Sequence, residues 1–274
     1  MSITLFCDSC GAALVETCTR CPACGAAISV AGLPARRATS PPAGSAGTGS
    51  AAPASVAPCQ LPAGFLLARR YRIVSQLGQG GFATVYKARD RAQRNRLVAV
   101  KQIHLEKLNL QEMLDASDAY NREVNYLSQM RYKHLPQLYA HFMDEQHWYI
   151  VIEYIDGQTL EEYMRKKRQR ALPVRQVLDI GLDLCDTLRY LHMQRPPLIF
   201  RDVKPANIIR AHSGKLYLID FGTTRPYRPG WKDTGPLGTP GYAAPEQYGS
   251  RAHTTPQTDI YGLGATLQTL LTGQ

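Results

Sequence analysis

Apolar and polar positions divide the chain into three blocks. In residues 1–30, short apolar clusters are broken by cysteines. Residues 31–64 are dominated up to residue 60 by Ala, Pro, Gly, Ser and Thr, and Arg36 and Arg37 are the only charges there. Such a segment buries too little surface to offset the entropy of ordering it, so it reads as a flexible linker. From residue 65 to 274 the pattern is that of a globular domain. Tyr71-Arg72-Ile73-Val74 and Ala83-Thr84-Val85-Tyr86 flank a glycine cluster, which predicts a hairpin. Leu97 to Lys101 and Trp148 to Ile152 predict two more strands, and a helix is expected from about Leu114 to Arg131. After Gly157 the spacing becomes helical, over 159–170, 174–193 and 259–272. The expected fold is α+β: a β-rich lobe, then an α-rich lobe, with a cleft between them.

Polar residues cluster in both lobes. Gly78-Gln79-Gly80-Gly81-Phe82-Ala83 would let the backbone turn N–H groups toward phosphates, although a plain structural turn has the same composition. Lys101 ends an apolar strand, where the bland reading is a surface lysine. Asp202, Lys204 and Asn207 follow the apolar run Leu198-Ile199-Phe200, and Asp220-Phe221-Gly222 begins thirteen residues after Asn207. This arrangement supplies a base candidate, a cation, a carboxamide and a second carboxylate on a tight turn. Such a set can hold Mg·ATP and deprotonate a hydroxyl.

Taken in order over residues 65–274, these motifs resemble those of the eukaryotic-like Ser/Thr protein kinases, including bacterial members. The resemblance implies a bilobal kinase fold and ATP-dependent phosphorylation of protein Ser and Thr, with autophosphorylation in signalling. Asp202 becomes the base and positioner of the substrate hydroxyl, and Lys204 neutralises the transferring group. Asn207 and Asp220 become Mg2+ ligands. Gly78, Gly80 and Gly81 cover the phosphates, while Val85, Ala99 and Ile209 sandwich the adenine. Ile152-Glu153-Tyr154-Ile155 resembles the hinge, where Glu153 and Ile155 read the base and Ile152 is the gatekeeper. Lys101 pairs with a helix glutamate; Glu123 fits best and Glu112 competes. Gly238 to Glu246 resembles the end of an activation segment, in which Thr239 with Lys204 marks Ser/Thr specificity. Asp259 is expected to cap the last helix and to hold the catalytic-loop backbone.

One position departs from the family: Phe200 stands where a histidine is usual. That histidine mainly packs, so Phe200 is read as a packing variant in a stack with Leu127, Leu138 and Phe221. Arg201, next to Asp202, implies control by a phosphate on the activation segment. Thr223, Thr224 and Thr234 are the hydroxyl candidates, and Thr234 is favoured. The family continues beyond the helix near Asp259 with more helices, so the lower lobe is expected to be C-terminally incomplete, and the arginine that usually pairs with Glu246 to lie beyond Gln274.

Cysteine usage adds a second module. Cys7-x2-Cys10-Gly11 and Cys21-x2-Cys24-Gly25 fit four thiolates around one tetrahedral Zn2+, and Cys18 could replace one ligand. Residues 1–30 resemble a short zinc ribbon, whose folding would depend on the metal. Cys59 and Cys185 read as ordinary thiols. The net charge is +10. With three basic and two acidic residues in 1–60, residues 61–274 carry +9. This charge reads as scattered over a domain that binds nucleotide and peptide, not as a nucleic-acid patch. Nothing resembles a signal peptide or a membrane span, so a cytoplasmic location is expected, with an anchor beyond Gln274 left open. Protein substrates and self-association are the expected partners. Two other functions stay open on sequence: a pseudokinase scaffold, and a nucleic-acid-binding regulator acting through the ribbon. The complete set Lys101, Asp202, Asn207 and Asp220 weighs against the first. Arg20 is the ribbon's lone basic residue, which weighs against the second.

Overall fold

A computed structural model describes residues 5–6, 13–14, 60–106, 108–144, 146–167, 171–230, 238–248 and 253–274. Near the N-terminus, β1 (Leu5–Phe6) pairs antiparallel with β2 (Ala13–Leu14), with Leu5 opposite Leu14. Cys7, Cys10, Cys18, Cys21 and Cys24, and with them the zinc expectation, lie outside the described residues, as do Cys59 and Thr234.

The first lobe is a six-stranded antiparallel sheet. Its strands are β3 (Leu66–Leu67), β4 (Tyr71–Gln79), β5 (Ala83–Asp90), β6 (Arg96–His104), β7 (Leu138–Met143) and β8 (His147–Glu153), in the order β3-β4-β5-β6-β8-β7. Side chains alternate across a strand, and β6 follows this rule. Val98 and Val100 join Tyr71, Ile73, Tyr86, Phe142, Tyr149 and Val151 in one core cluster. Ile103 belongs to another cluster, with Ile150 and with Tyr120 of helix α1 (Leu110–Gln129).

Helix α1 starts four residues before the expected Leu114, and the reason is local. Asn109 Oδ1 accepts from the Glu112 N–H at 2.9 Å, and Glu112 Oε2 accepts from the Asn109 N–H at 2.8 Å. This reciprocal capping box satisfies two orphan donors and sets the helix start. It also commits Glu112 to the cap, so the competitor for Lys101 is removed.

The second lobe contains β9 (Gly157–Thr159), α2 (Leu160–Arg165), α3 (Val174–His192), β10 (Leu198–Ile199), β11 (Ile208–Ala211), β12 (Leu216–Leu218), β13 (Arg225–Pro226) and α4 (Pro256–Thr272). Strands β12, β11 and β9 form a small sheet. Within it, Gly157 lies so close to β11 that a Cβ there would run into the Arg210 carbonyl oxygen. Helix α3 turns Val177, Ile180, Leu184, Leu188 and Leu191 inward and leaves Val174, Leu178 and Leu182 exposed. Cys185 on α3 is exposed as well.

Helix α4 begins at Pro256, behind an N-cap at Thr255. Proline suits the first turn because its missing N–H is not needed there. Asp259 is therefore inside the first turn and does not cap the helix, which corrects the expectation. The predicted stack forms: Leu127 from α1 packs with Phe200 and Phe221 in the main core, and Leu138 lies against it. Among the described residues, no helix is long and apolar enough to cross a membrane.

Candidate active site

The segment 200–207 is held from below by one buried carboxylate. Asp259, 1% exposed, accepts from the Phe200 N–H at 2.9 Å and the Arg201 N–H at 2.7 Å, and His192 Nε2 lies 2.8 Å away. A buried carboxylate needs such donors to offset its desolvation. Arg201 itself adopts φ +71°. That conformation costs a non-glycine residue about 1–3 kcal/mol and persists only where the surroundings over-determine it. Here the Gln247 amide donates to the Arg201 carbonyl at 2.9 Å, and the Arg201 guanidinium donates to the Thr223 carbonyl.

On this support four side chains converge. Asn207 Nδ2 donates to Asp202 Oδ2 at 2.9 Å. The Thr239 hydroxyl donates to Asp202 Oδ1 at 2.7 Å. Lys204 Nζ lies 2.8 Å from Asp202 Oδ2 and donates to Thr239 Oγ at 2.6 Å. A hydroxyl is thus held between a carboxylate and an ammonium. Thr239 comes from a segment more than thirty residues away, so this triangle is a tertiary product.

The second cluster joins the lobes. Lys101 Nζ donates to Glu123 Oε2 at 2.7 Å and to Asp220 Oδ1 at 2.9 Å. Burial works to lower the Lys101 pKa, but Asp220 and Glu123 outweigh it and hold the ammonium above its ordinary value. Asp220 moves the other way: the Lys101 charge holds its carboxyl below the usual range. Burial pushes Glu123 up against the opposing pull of Lys101. Asp220 sits at φ +70°, ψ +80°, a second left-handed non-glycine residue in this site. This turn leaves its side chain half exposed toward the cleft, while Phe221 is fully buried. Phe221 meets Phe200 edge to face, with ring centroids 5.3 Å apart, a favourable aromatic geometry. Arg122, one residue before Glu123, donates to the Gly222 carbonyl at 3.0 Å and ties α1 to the same turn.

Between the lobes lies a cleft with apolar walls that include Val85, Ala99, Ile152 and Ile209. Lys101, Glu123, Asn207, Asp220, Glu153 and Ile155 line it too. The cleft therefore gathers the predicted nucleotide and metal residues of both lobes; Asp202, Lys204 and Thr239 lie outside its lining, with Asp202 joined to it through Asn207. Gly78, Gly80 and Gly81 are exposed and outside the cleft lining, and none has a positive φ. Sequence reading missed five lining residues, Leu77, Pro136, Thr159, Glu162 and Ile219. Leu77 and Ile219 immediately precede recognised motifs, at Gly78 and Asp220, and that adjacency was the available signal for those two. Gln247 and His192 were also missed, and nothing local distinguishes them.

Two activation candidates are corrected. Thr224 is fully buried, and the Thr223 hydroxyl donates to the Phe200 carbonyl at 3.1 Å. Thr224 is thus inaccessible, and the partly buried Thr223 hydroxyl is committed to the catalytic-loop backbone. Glu246 has a partner within the chain: Thr258 Oγ donates to its Oε1 at 2.7 Å.

Comparison with known proteins places this geometry. The family model described as protein kinase domain matches residues 71–274. Serine/threonine-protein kinase PknA of Nostoc sp. is 36% identical over 220 residues, covering 76% of this chain and 38% of that protein. Serine/threonine-protein kinase F of Synechocystis sp. is 35% identical over 235 residues, covering 79% of this chain and 46% of that protein. Serine/threonine-protein kinase PLK4 of Drosophila virilis is 31% identical over 209 residues, covering 74% and 25% respectively. The chain matches less than half the length of each of these relatives.

Proposed function

This chain belongs to the protein kinase domain family, and from that premise we propose that it transfers the γ-phosphoryl group of ATP to Ser and Thr hydroxyls of proteins. The observation that carries the reading is the Asp202–Thr239–Lys204 triangle. It supports the reading because a substrate hydroxyl would meet the same carboxylate acceptor and the same ammonium. Asp202 accepts the hydroxyl proton as the new O–P bond forms and the bond from the γ-phosphorus to the bridging oxygen breaks. Lys204 offsets charge on the transferring group. Lys101, held by Glu123, offers its remaining N–H to phosphate oxygens. Most of the rate enhancement on this reading is positioning and electrostatics.

Mg2+ fits the residues present. Asn207 turns its Nδ2 inward to Asp202, which leaves its carbonyl oxygen for a cation. Asp220 uses Oδ1 on Lys101 and keeps Oδ2. Two hard oxygen donors suit Mg2+, which when bound would neutralise phosphate charge. The adenine reading assigns Val85, Ala99 and Ile209 to the base and Glu153 and Ile155 to its polar edge, with Gly78, Gly80 and Gly81 closing over phosphates.

The assembled Lys101–Glu123–Asp220 set favours an active enzyme over a pseudokinase scaffold. A zinc ribbon in 1–30, a linker in 31–64 and a catalytic domain in 65–274 complete the proposed organisation. Cytoplasmic location and autophosphorylation between copies belong to the same proposal. The test is transfer of label from radioactive ATP, followed by phosphoamino-acid analysis. Phosphoserine or phosphothreonine is expected, with loss of label in Asp202→Asn. Phosphotyrosine, or label unaffected by that substitution, overturns the assignment.

A further inference from the structure

At the end of the β-lobe remote from the hinge, β6 and β8 finish on a histidine pair. His104 lies directly opposite His147 in the ladder. Both are buried, 5% and 6% exposed, and their rings meet edge to face with centroids 5.4 Å apart. Two buried imidazoles side by side are an unusual use of a sheet core, where apolar pairs would pack at no polar cost.

Their surroundings resolve what each ring offers. Asp144 Oδ1 accepts from the backbone N–H groups of Gln146 and His147, at 2.9 and 2.8 Å. The same oxygen lies 3.3 Å from His147 Nδ1. Facing an acceptor, Nδ1 carries the proton, and Nε2 is left with its lone pair. That Nε2 is buried and has no hydrogen-bond partner. On the other ring, Thr84 Oγ lies 2.9 Å from His104 Nε2, so Nδ1 is the atom His104 would turn to a ligand. Glu106, two residues after β6 and exposed, completes the group. One ligand atom from each of His104, Glu106 and His147 lies within 4.8 Å of the others.

We propose that His104, His147 and Glu106 form a binding site for a divalent transition cation of the Zn2+ type at this edge of the β-lobe. Two imidazoles and one carboxylate with an open fourth position are an ordinary donor set for that ion. The Asp144 carboxylate behind His147, and the Thr84 hydroxyl behind His104, are the partners that metal-bound imidazoles use to fix ring orientation. The metal would accept the lone pair that the fold leaves unmatched. It would also staple the connection into α1 to the β7–β8 turn, which already meet through the Leu105 N–H donating to the Gln146 carbonyl at 3.0 Å. Exposed Glu106 supplies the route of entry, and its flexible side chain can close the shell. None of the three residues lines the nucleotide cleft.

The cysteine cluster must be silenced first, so the parent protein is the chain with Cys7, Cys10, Cys21 and Cys24 all changed to Ser. After chelation it is titrated with Zn2+ against a chromophoric chelator. About one zinc per chain is expected, with the melting temperature raised by the metal. His147→Gln and Glu106→Gln should each weaken binding roughly tenfold or more, on the scale that shell residues contribute. Glu106→Gln lies on the surface and keeps the test valid if the buried substitution unfolds the lobe. Absence of zinc uptake by the parent overturns the proposal. So does uptake that Glu106→Gln leaves unchanged.

Discussion

The catalytic loop and the glycine-rich loop are built in opposite ways. Residues 200–207 hang from Asp259, Gln247 and Thr223 by buried hydrogen bonds, and the backbone of Arg201 is held in a left-handed conformation. Residues 78–82 are exposed, and a Cβ on Gly78 or Gly81 would meet nothing within 4 Å. One loop is organised before ligand arrives, at the expense of strain and buried charge. The other is exposed, with the Gly80 N–H donating to the Ala83 carbonyl at 2.7 Å, and on the proposed reading it would be shaped by the ligand. Groups that must stabilise charge at the moment of transfer cannot wait for reorganisation, whereas a cover over phosphates can.

The largest effects should come from the prearranged side. Asp202→Asn and Asp220→Ala are each expected to lower phosphotransfer by roughly 10²–10⁴-fold while circular dichroism shows a retained fold. Full activity in either variant would remove the basis of the contrast. Next in size is Asp259→Ala, which leaves the buried N–H groups of Phe200 and Arg201 without an acceptor. Each orphaned donor costs about 1–3 kcal/mol, so denaturant midpoint and activity should fall together. An unchanged midpoint would mean the loop holds its shape without this anchor.

Phe200 sharpens the comparison from the apolar side. Phe200→His should keep substantial activity, because ring volume is preserved against Phe221. Phe200→Asp buries an unpaired charge and should lower the melting temperature markedly. Equal melting of the two variants would contradict the packing role. On the exposed loop, Gly80→Ala should change stability by less than about 1 kcal/mol and the KM for ATP by less than about tenfold. Its added Cβ would find its nearest neighbour, the Ala83 carbonyl oxygen, at 3.7 Å. A loss as large as that of Asp220→Ala would show the glycine loop to be as constrained as the catalytic loop.

The smallest effect is a pH dependence away from both loops. Burial pushes the His141 imidazole below its ordinary value of about 6.5. Below that pH the unfolded chain binds a proton that the folded protein resists. The contribution is full above about pH 6.5 and is lost as pH falls toward the lower folded value. Urea midpoints between pH 7.5 and 5 should therefore decline less in His141→Gln than in the parent; parallel curves would refute the assignment.

Much of the fold was legible because it is local. Strand alternation on β6, the glycine turn and the start of α3 each depend on neighbours in sequence. Errors arose where a short-range signal was outweighed or overlooked. Asn109-Leu110-Gln111-Glu112 is a readable capping box, yet the helix was expected to begin at Leu114. Asp259 has a capping side chain, but Thr255-Pro256 starts the helix one turn earlier and frees Asp259 for the catalytic loop. Thr223 and Thr224 looked available, and only packing beneath Arg201 shows one bonded and the other buried.

By itself, the sequence determined which reactive groups the chain carries and how they are spaced within one turn. Asp202, Lys204 and Asn207 sit within six residues, so their mutual reach is set by a short, stiff piece of backbone. The tertiary structure decided which distant residues complete them. Nothing local tells Lys101 to choose Glu123, brings Thr239 between Asp202 and Lys204, or sets His104 against His147. Those pairings depend on how α1, the activation segment and the strands settle on a shared core. They are long-range contacts, set by the collective burial of side chains such as Leu127, Phe200 and Phe221 rather than by any short stretch of chain.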